Sequence, residues 1–245
     1  MPLKLLKSVW FLSVLMAAGA VGPVVADTMR ECEQDDVAQF ALRACSQLLN
    51  GTELDLTERG RIYTLRGIAW MTEDDPAAAE MDFSRAIEID PANIRAIRTR
   101  AKAHTLLGNH DLAAADWGRL IELKPGTEEF YRHRGAAYLG TGKTDAAFAD
   151  YDKALAINPK SMEAHIGKAL VYDHLGDRDK TLEEFATAIE IDPAYIPTYW
   201  EKGQAYERWG DERRAIETYS TLLKYNGVYS HARKRLQKLG VMTPP

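Results

Sequence analysis

The stretch AIEIDP at residues 86–91 decides the fold, because close copies of it return at a fixed interval. They are LIELKP at 120–125, ALAINP at 154–159 and a second AIEIDP at 188–193, each starting 34 residues after the one before. One more interval leads into TLLKYNG at 221–227, where Gly227 replaces the proline. A fixed period of this length predicts a stack of equal supersecondary units in place of one globular core.

Each unit is predicted to be two helices joined by a short turn. The proline ends the second helix, because its ring and missing N–H cannot continue one. Counting from Gly60, the eighth position of each unit is small and the twenty-fourth carries a ring, so two helices can approach closely while rings fill the space between hairpins. The turn residues are Asp74, Gly108, Gly142, Gly176 and Gly210; the small residues are Gly67, Ala101, Gly135, Ala169 and Gly203; the rings belong to Phe83, Trp117, Tyr151, Phe185 and Tyr219.

This pattern resembles the tetratricopeptide repeat (TPR) family. The resemblance implies an all-α fold, a right-handed α-solenoid of five 34-residue helix-turn-helix repeats with capping helices at both ends. We expect repeats at 60–93, 94–127, 128–161, 162–195 and 196–229, an N-terminal capping helix region at 27–59, and a C-terminal capping helix and tail at 230–245. Solenoids need such polar-faced ends to remain soluble.

The first 26 residues are predicted to be a secretory signal peptide. Two lysines precede an almost wholly apolar run at 9–18, and small residues lead to a cleavage site after Ala26. The alternative is an uncleaved membrane anchor, which needs about 20 apolar residues in one helix. Gly22 and Pro23 interrupt the run too early for that. We therefore expect an exported, bacterial periplasmic protein without stable membrane insertion after signal cleavage; secretion is the less favoured destination.

The two cysteines, Cys32 and Cys45, are predicted to form a disulfide. Export favours oxidation, and the pair falls where two helices would meet if a degenerate repeat is projected backwards from Gly60. One unbroken helix would hold them about 20 Å apart. The prediction therefore requires a helix break near residues 34–36.

The composition and motifs do not favour nucleic-acid binding, metal binding or catalysis. The chain has 31 Lys and Arg against 36 Asp and Glu, whereas proteins that bind the phosphates of nucleic acids usually carry an excess of basic residues. None of its six histidines stands in an HExxH or zinc-site pattern, and no nucleotide-binding loop or nucleophile elbow occurs. We expect no cofactor, no metal and no enzymatic activity.

A ladder of ion pairs is predicted inside the hairpins. The seventh position of every unit is basic, and the position sixteen residues later is acidic in four of the five units. Binding of a ligand by these bases is the alternative, but the matching acids favour structural pairs. The bases are Arg66, Arg100, Arg134, Lys168 and Lys202, and the residues at the later position are Asp82, Asp116, Asp150, Glu184 and Thr218.

The TPR resemblance also implies an inner, concave groove lined by the first helix of each repeat. Its expected lining changes along the chain from basic to apolar to acidic. The basic half is Arg61, Arg95, Arg98, Lys102 and Arg132; the apolar part is Leu139, Ile166, Leu170 and Trp200; the acidic exit is Asp173 and Glu207. The expected partner is a protein or peptide segment that is acidic or ends in a free carboxylate.

These observations favour a non-enzymatic interaction module or scaffold of the cell envelope that binds a partner segment in the groove. The alternatives are a structural solenoid that associates with itself and a regulatory subunit that docks onto an envelope enzyme. The sequence determines neither the partner nor the oligomeric state.

Overall fold

The computed structural model describes residues 23–33, 38–51 and 53–241, and over these residues the chain is all-α, with thirteen helices and no strand. Consecutive helices pack side by side in a solenoid, as predicted. The helices are α1 Pro23–Cys32, α2 Ala38–Gly51, α3 Leu56–Thr72, α4 Pro76–Ile89, α5 Ile94–Leu106, α6 His110–Leu123, α7 Glu128–Gly140, α8 Thr144–Ile157, α9 Met162–His174, α10 Arg178–Ile191, α11 Ile196–Arg208, α12 Glu212–Tyr225 and α13 Ser230–Lys238.

The turn residues end the first helix of each repeat through a left-handed backbone. Gly108 has φ 74°, and the equivalent glycines of the later repeats are similar. Asp74 holds the same conformation at φ 60° in the first repeat, although a side chain makes it less favourable there. The second helices of the first four repeats stop two residues before the proline, at Ile89 in the first case. The predicted helix-turn-helix unit is therefore confirmed.

The small and aromatic positions pack as the sequence predicts. A Cβ atom added at Gly67 would lie 2.5 Å from the Phe83 ring, so this ring of α4 packs directly on the α3 backbone, where only glycine leaves room for it. The rings at Phe83, Trp117 and Tyr219 are almost completely buried. Burial of these rings supplies much of the hydrophobic stabilisation of the stack.

The N-terminal capping region holds two helices, α1 and α2, which form a hairpin packed against α3. Cys32 at the end of α1 is joined by a disulfide to Cys45 in α2, as predicted. Helix α3 begins at Leu56, ahead of the Gly60 from which the repeats were counted. Asp55 caps this extra turn by accepting a hydrogen bond from the Glu58 N–H at 2.8 Å, so the first repeat has a longer first helix than the others.

The predicted signal peptide lies mostly outside the described residues, which begin at Pro23. The expected cleavage site after Ala26 falls inside α1. The helix break expected near residues 34–36 lies outside the described residues as well. At the other end, α13 buries Leu236 against the last repeat, as expected of a cap. No helix among the described residues combines the length and apolar character that a bilayer crossing requires.

Candidate functional site

The predicted ion-pair ladder forms in the first four repeats. The Arg134 Nε and Nη2 atoms each donate to an oxygen of Asp150 at 2.8 Å, and the first two repeats have the same bidentate geometry. These hydrogen bonds raise the pKa of the Arg134 guanidinium. In the fourth repeat Lys168 Nζ lies 3.2 Å from Glu184. The ladder bases of these repeats are therefore occupied within the protein, as a structural role requires.

The fifth repeat departs from the ladder, as its threonine indicates. The Lys202 side chain makes no ion pair with any described residue, and burial lowers its pKa. The Thr218 hydroxyl donates to the Arg214 carbonyl oxygen at 2.7 Å.

The first helices of the repeats, α3, α5, α7, α9 and α11, form what we call the first-helix face. Here Arg98 Nη1 and Lys102 Nζ of α5 lie 3.7 and 3.6 Å from the Glu129 carboxylate of α7, and Arg132 Nε lies 3.3 Å from Glu128. The two glutamates occupy the first turn of α7, where the helix dipole favours negative charge. Three of the predicted groove cations are therefore brought together, but each faces a carboxylate of its own chain.

His133 lies beside this network. Its ring stacks on Trp117 with centroids 4.6 Å apart, and its Nε2 atom lies 3.8 Å from Glu129 Oε1. Burial and the neighbouring Arg132 guanidinium lower the pKa of His133 to about 4. The ring is therefore neutral at neutral pH and adds no charge to the face.

An open cleft of about 720 Å³ lies at the N-terminal end of the first-helix face and brings Arg61 and Arg95 together. Arg61 Nη2 contacts Glu33 Oε1 at 2.5 Å, whereas Arg95 makes no ion pair with any described residue. Asn93 donates to the Thr64 hydroxyl at 3.3 Å and fixes one wall. We call this space the N-terminal cleft; its lining includes Glu33, Leu56, Arg61, Thr64, Asn93 and Arg95.

The expected acidic exit is corrected by the structure. Asp173 accepts hydrogen bonds from Arg208 Nε at 2.8 Å and from Trp209 Nε1 at 2.6 Å, and only 10% of its side chain is exposed. Glu207 is paired with Arg235 of α13 at 2.8 Å. Both carboxylates are neutralised within the protein, so neither offers a free negative charge to a partner.

The expected apolar stretch is also only partly open. Ile166 is 7% exposed and belongs to the core between α9 and its neighbours. Trp200 packs against Tyr219, Tyr229 and His231, because the C-terminal cap folds over the last repeat. Neither residue continues an open apolar surface.

Leu139 and Leu170 do remain at the surface, in a second cleft of about 610 Å³ that we call the C-terminal cleft. Two of its residues, Arg178 and Trp209, were not predicted from the sequence. They lie after the first helix of their repeats, outside the positions that the TPR resemblance assigns to the groove. An aromatic residue directly before the turn glycine Gly210 is the only sequence signal that could have indicated Trp209. The lining includes Leu139, Leu170, Asp173, Arg178, Arg208 and Trp209.

Two histidines on first helices, His104 of α5 and His165 of α9, serve packing. His165 makes a 2.7 Å hydrogen bond with Glu184, and His104 is buried near Asp116. Burial lowers the pKa of His104. In the described part of the chain, no group of three or more His, Cys, Asp or Glu side chains is arranged to hold a metal ion.

Two family models match the sequence. One, described as tetratricopeptide repeat, matches residues 163–195 and 196–229, within one residue of the predicted fourth and fifth repeats. The other, described as bacterial transcriptional activator domain, matches residues 73–171, which is less than half of the chain and runs from the end of α3 into α9. No curated protein sequence matches the chain.

Solved structures of TPR proteins share the fold. A TPR protein from Parabacteroides merdae ATCC 43184 has a TM-score of 0.71 at 20% identity, covering 88% of each chain. A thermophilic TPR protein of Thermus thermophilus has a TM-score of 0.64 at 21% identity, covering 75% of this chain and 100% of its own. The crystal structure of MamA has a TM-score of 0.54 at 25% identity, covering 67% of this chain and 96% of its own. The family match identifies residues 163–229 as two tetratricopeptide repeats, and the 34-residue helical hairpins and these solved structures show that the other repeats of the described chain have the same TPR fold.

Proposed function

We propose that the protein is a non-enzymatic scaffold of the bacterial cell envelope, and that it binds an acidic or carboxylate-ending segment of a partner protein along the first-helix face. The TPR fold and its relatives support a protein–protein interaction scaffold in general. The proposed envelope location rests on the signal peptide predicted at residues 1–26, with its two lysines, its apolar run and its small residues before the cleavage site. The choice of face and of partner chemistry rests on the charges described above.

The observation that carries the proposal is the N-terminal cleft with Arg95, which makes no ion pair among the described residues. A guanidinium binds a carboxylate through two parallel hydrogen bonds, which is the geometry that an acidic partner would use. Arg61 on the same cleft holds Glu33, an exposed contact that a partner carboxylate can replace at little cost. Arg98 and Lys102 continue the positive charge toward α7, and their side chains are 42% and 46% exposed, so a partner can replace their contacts with Glu129; Arg132 is only 22% exposed and is paired with Glu128.

The partner is to be captured from a periplasmic extract and identified by mass spectrometry, and its affinity then measured for designed variants. Arg95→Glu reverses a charge without breaking any ion pair between described residues. We expect it to weaken partner binding at least tenfold, about 1.4 kcal/mol, while the melting temperature stays unchanged. Lys124→Glu is the matched control, because Lys124 is an exposed cation directly after the second helix of a repeat and is not among the residues that line either cleft.

Unaltered affinity of the Arg95→Glu variant at low salt would place the binding surface elsewhere. Self-association is separated from partner binding by sedimentation at several concentrations, since a scaffold that binds a different protein can remain monomeric by itself. Export is tested by N-terminal sequencing of the processed protein. We expect it to begin at Asp27 or within a residue or two, and an intact Met1 in a membrane fraction would mean that the segment is an anchor.

A further inference from the structure

The C-terminal cleft combines an apolar floor with a positive rim. Leu139 and Leu170 contribute the aliphatic floor, and the partly exposed Trp209 indole forms one side. Tryptophan and arginine are among the residues most enriched at the positions that dominate binding energy in protein interfaces. The cleft lies between the third, fourth and fifth repeats, so its walls are held by three separate hairpins.

The charges of the cleft are set by one internal hydrogen-bond network. Asp173 accepts from both Arg208 and the Trp209 indole, which fixes the ring and neutralises the Asp173 and Arg208 charges against each other. Arg178 lies over the Trp209 ring, with its guanidinium carbon 5.2 Å from the ring centroid. It makes no ion pair with any described residue, so the cleft retains one unbalanced positive charge.

We propose that the C-terminal cleft binds an aliphatic side chain of the partner that is directly followed by an aspartate or glutamate. The aliphatic group would pack on Leu139, Leu170 and the Trp209 ring, and the adjacent carboxylate would pair with Arg178. The inference rests on the proposed function for its ligand being a protein segment, and it replaces the acidic exit that the sequence predicts. A segment with a basic residue at this point is disfavoured, because it would meet the unbalanced Arg178 charge.

The fixed indole provides a direct probe of this cleft. The indole N–H signal of Trp209 is followed by ¹⁵N–¹H NMR and assigned by its absence in a Trp209→Phe variant. The ligand probe is a Gly-Leu-Glu-Gly peptide with acetylated and amidated ends. We expect a saturable shift of this signal with a Kd of about 1 mM, the range for so small a ligand. The indole signal of the buried Trp117 should not move.

Two control peptides test the two halves of the proposed ligand. Replacing leucine by alanine removes the aliphatic group, and replacing glutamate by glutamine removes the charge. We expect the alanine peptide to lose saturable binding and the glutamine peptide to bind roughly threefold more weakly, the size of an exposed charge contact. Equal binding of all three peptides, or no shift of Trp209 with the first, would overturn the proposal.

Variants then separate this proposal from the proposed function. In Arg178→Gln the glutamate and glutamine peptides should bind equally, whereas the matched Lys124→Gln variant should keep the difference. With the captured partner, weaker binding by Arg95→Glu but not by Arg178→Gln would refute the C-terminal cleft and leave the proposed function standing. A peptide response at Trp209 with no effect of Arg95→Glu on the partner would refute the proposed function alone.

Discussion

Gly118 marks a difference between two otherwise equivalent ladder arginines. In the second repeat, the Arg100 Nη1 atom donates a third hydrogen bond to the Ser84 hydroxyl at 3.0 Å, in addition to its two bonds with the ladder aspartate. Arg134 makes only its two hydrogen bonds with Asp150 among the described residues, because one period after Ser84 the sequence has Gly118. Gly118→Ser should therefore supply the missing acceptor.

The structure allows the size of the effect to be worked out. A Cβ atom at Gly118 would lie 3.6 Å from Arg134 Nη1 and, apart from its chain neighbours and the backbone of its own helix, would meet no other described atom within 4 Å, so the substitution fits. Gly118 lies inside α6, where replacing glycine by alanine stabilises by about 1 kcal/mol. Serine is intrinsically about 0.5 kcal/mol less favourable than alanine in a helix. A hydrogen bond to a partly exposed guanidinium adds about 1 kcal/mol, so Gly118→Ser should stabilise by about 1.5 kcal/mol.

The assay compares thermal and urea unfolding of the wild type, Gly118→Ala and Gly118→Ser. One kcal/mol corresponds to roughly 3 °C in a chain of this size. The serine variant should exceed the alanine variant, and the advantage should vanish when Arg134→Met is added. A serine variant that is less stable than the alanine variant by about 0.5 kcal/mol would refute the reasoning, because only intrinsic helix propensity would then distinguish them.

The ladder, His133 and the disulfide each give a further prediction. Arg134→Glu should destabilise the fold by about 3 kcal/mol because it leaves the buried Asp150 without its partner. Adding Asp150→Arg should recover part of this loss. If the effects of the two substitutions simply add in the double-mutant cycle, the two side chains do not interact. Since the pKa of His133 is lowered to about 4 from an ordinary value near 6.5, the unfolded chain takes up a proton in this window while the folded chain does not. The free energy of unfolding should therefore fall as the pH decreases from 6.5 to 4, by up to about 3 kcal/mol, and urea titrations should show a weaker pH dependence in His133→Gln. Replacing Cys32 and Cys45 together by serine should lower the stability of the α1–α2 hairpin by about 3 kcal/mol, the chain-entropy effect of a 13-residue loop, and hydrogen exchange of α1 and α2 should reveal it.

The sequence predicted on which helices the candidate site residues lie. It did not predict which of their charges are neutralised by other side chains of the protein. The TPR resemblance placed Arg61, Arg95 and Leu170 on the first-helix face, because a helix position fixes which side a residue occupies. It could not show that Asp173 is neutralised by Arg208, since that contact joins neighbouring repeats 35 residues apart. Nor could it show that the C-terminal cap packs against Trp200.

The sequence by itself determined the helices, their pairing and the ladder of ion pairs, because each depends on contacts inside one 34-residue unit or between adjacent units in fixed register. The tertiary structure alone decided which charged side chains remain available. Arg95 and Arg178 make no ion pair within the described chain, while Arg61 and Asp173 do, and the sequence around each residue does not show this difference. The physical reason is that a charged side chain pairs with whichever opposite charge the stacking of the hairpins brings within reach. That depends on the directions of side chains in neighbouring repeats, and the 34-residue period of the sequence does not specify these directions.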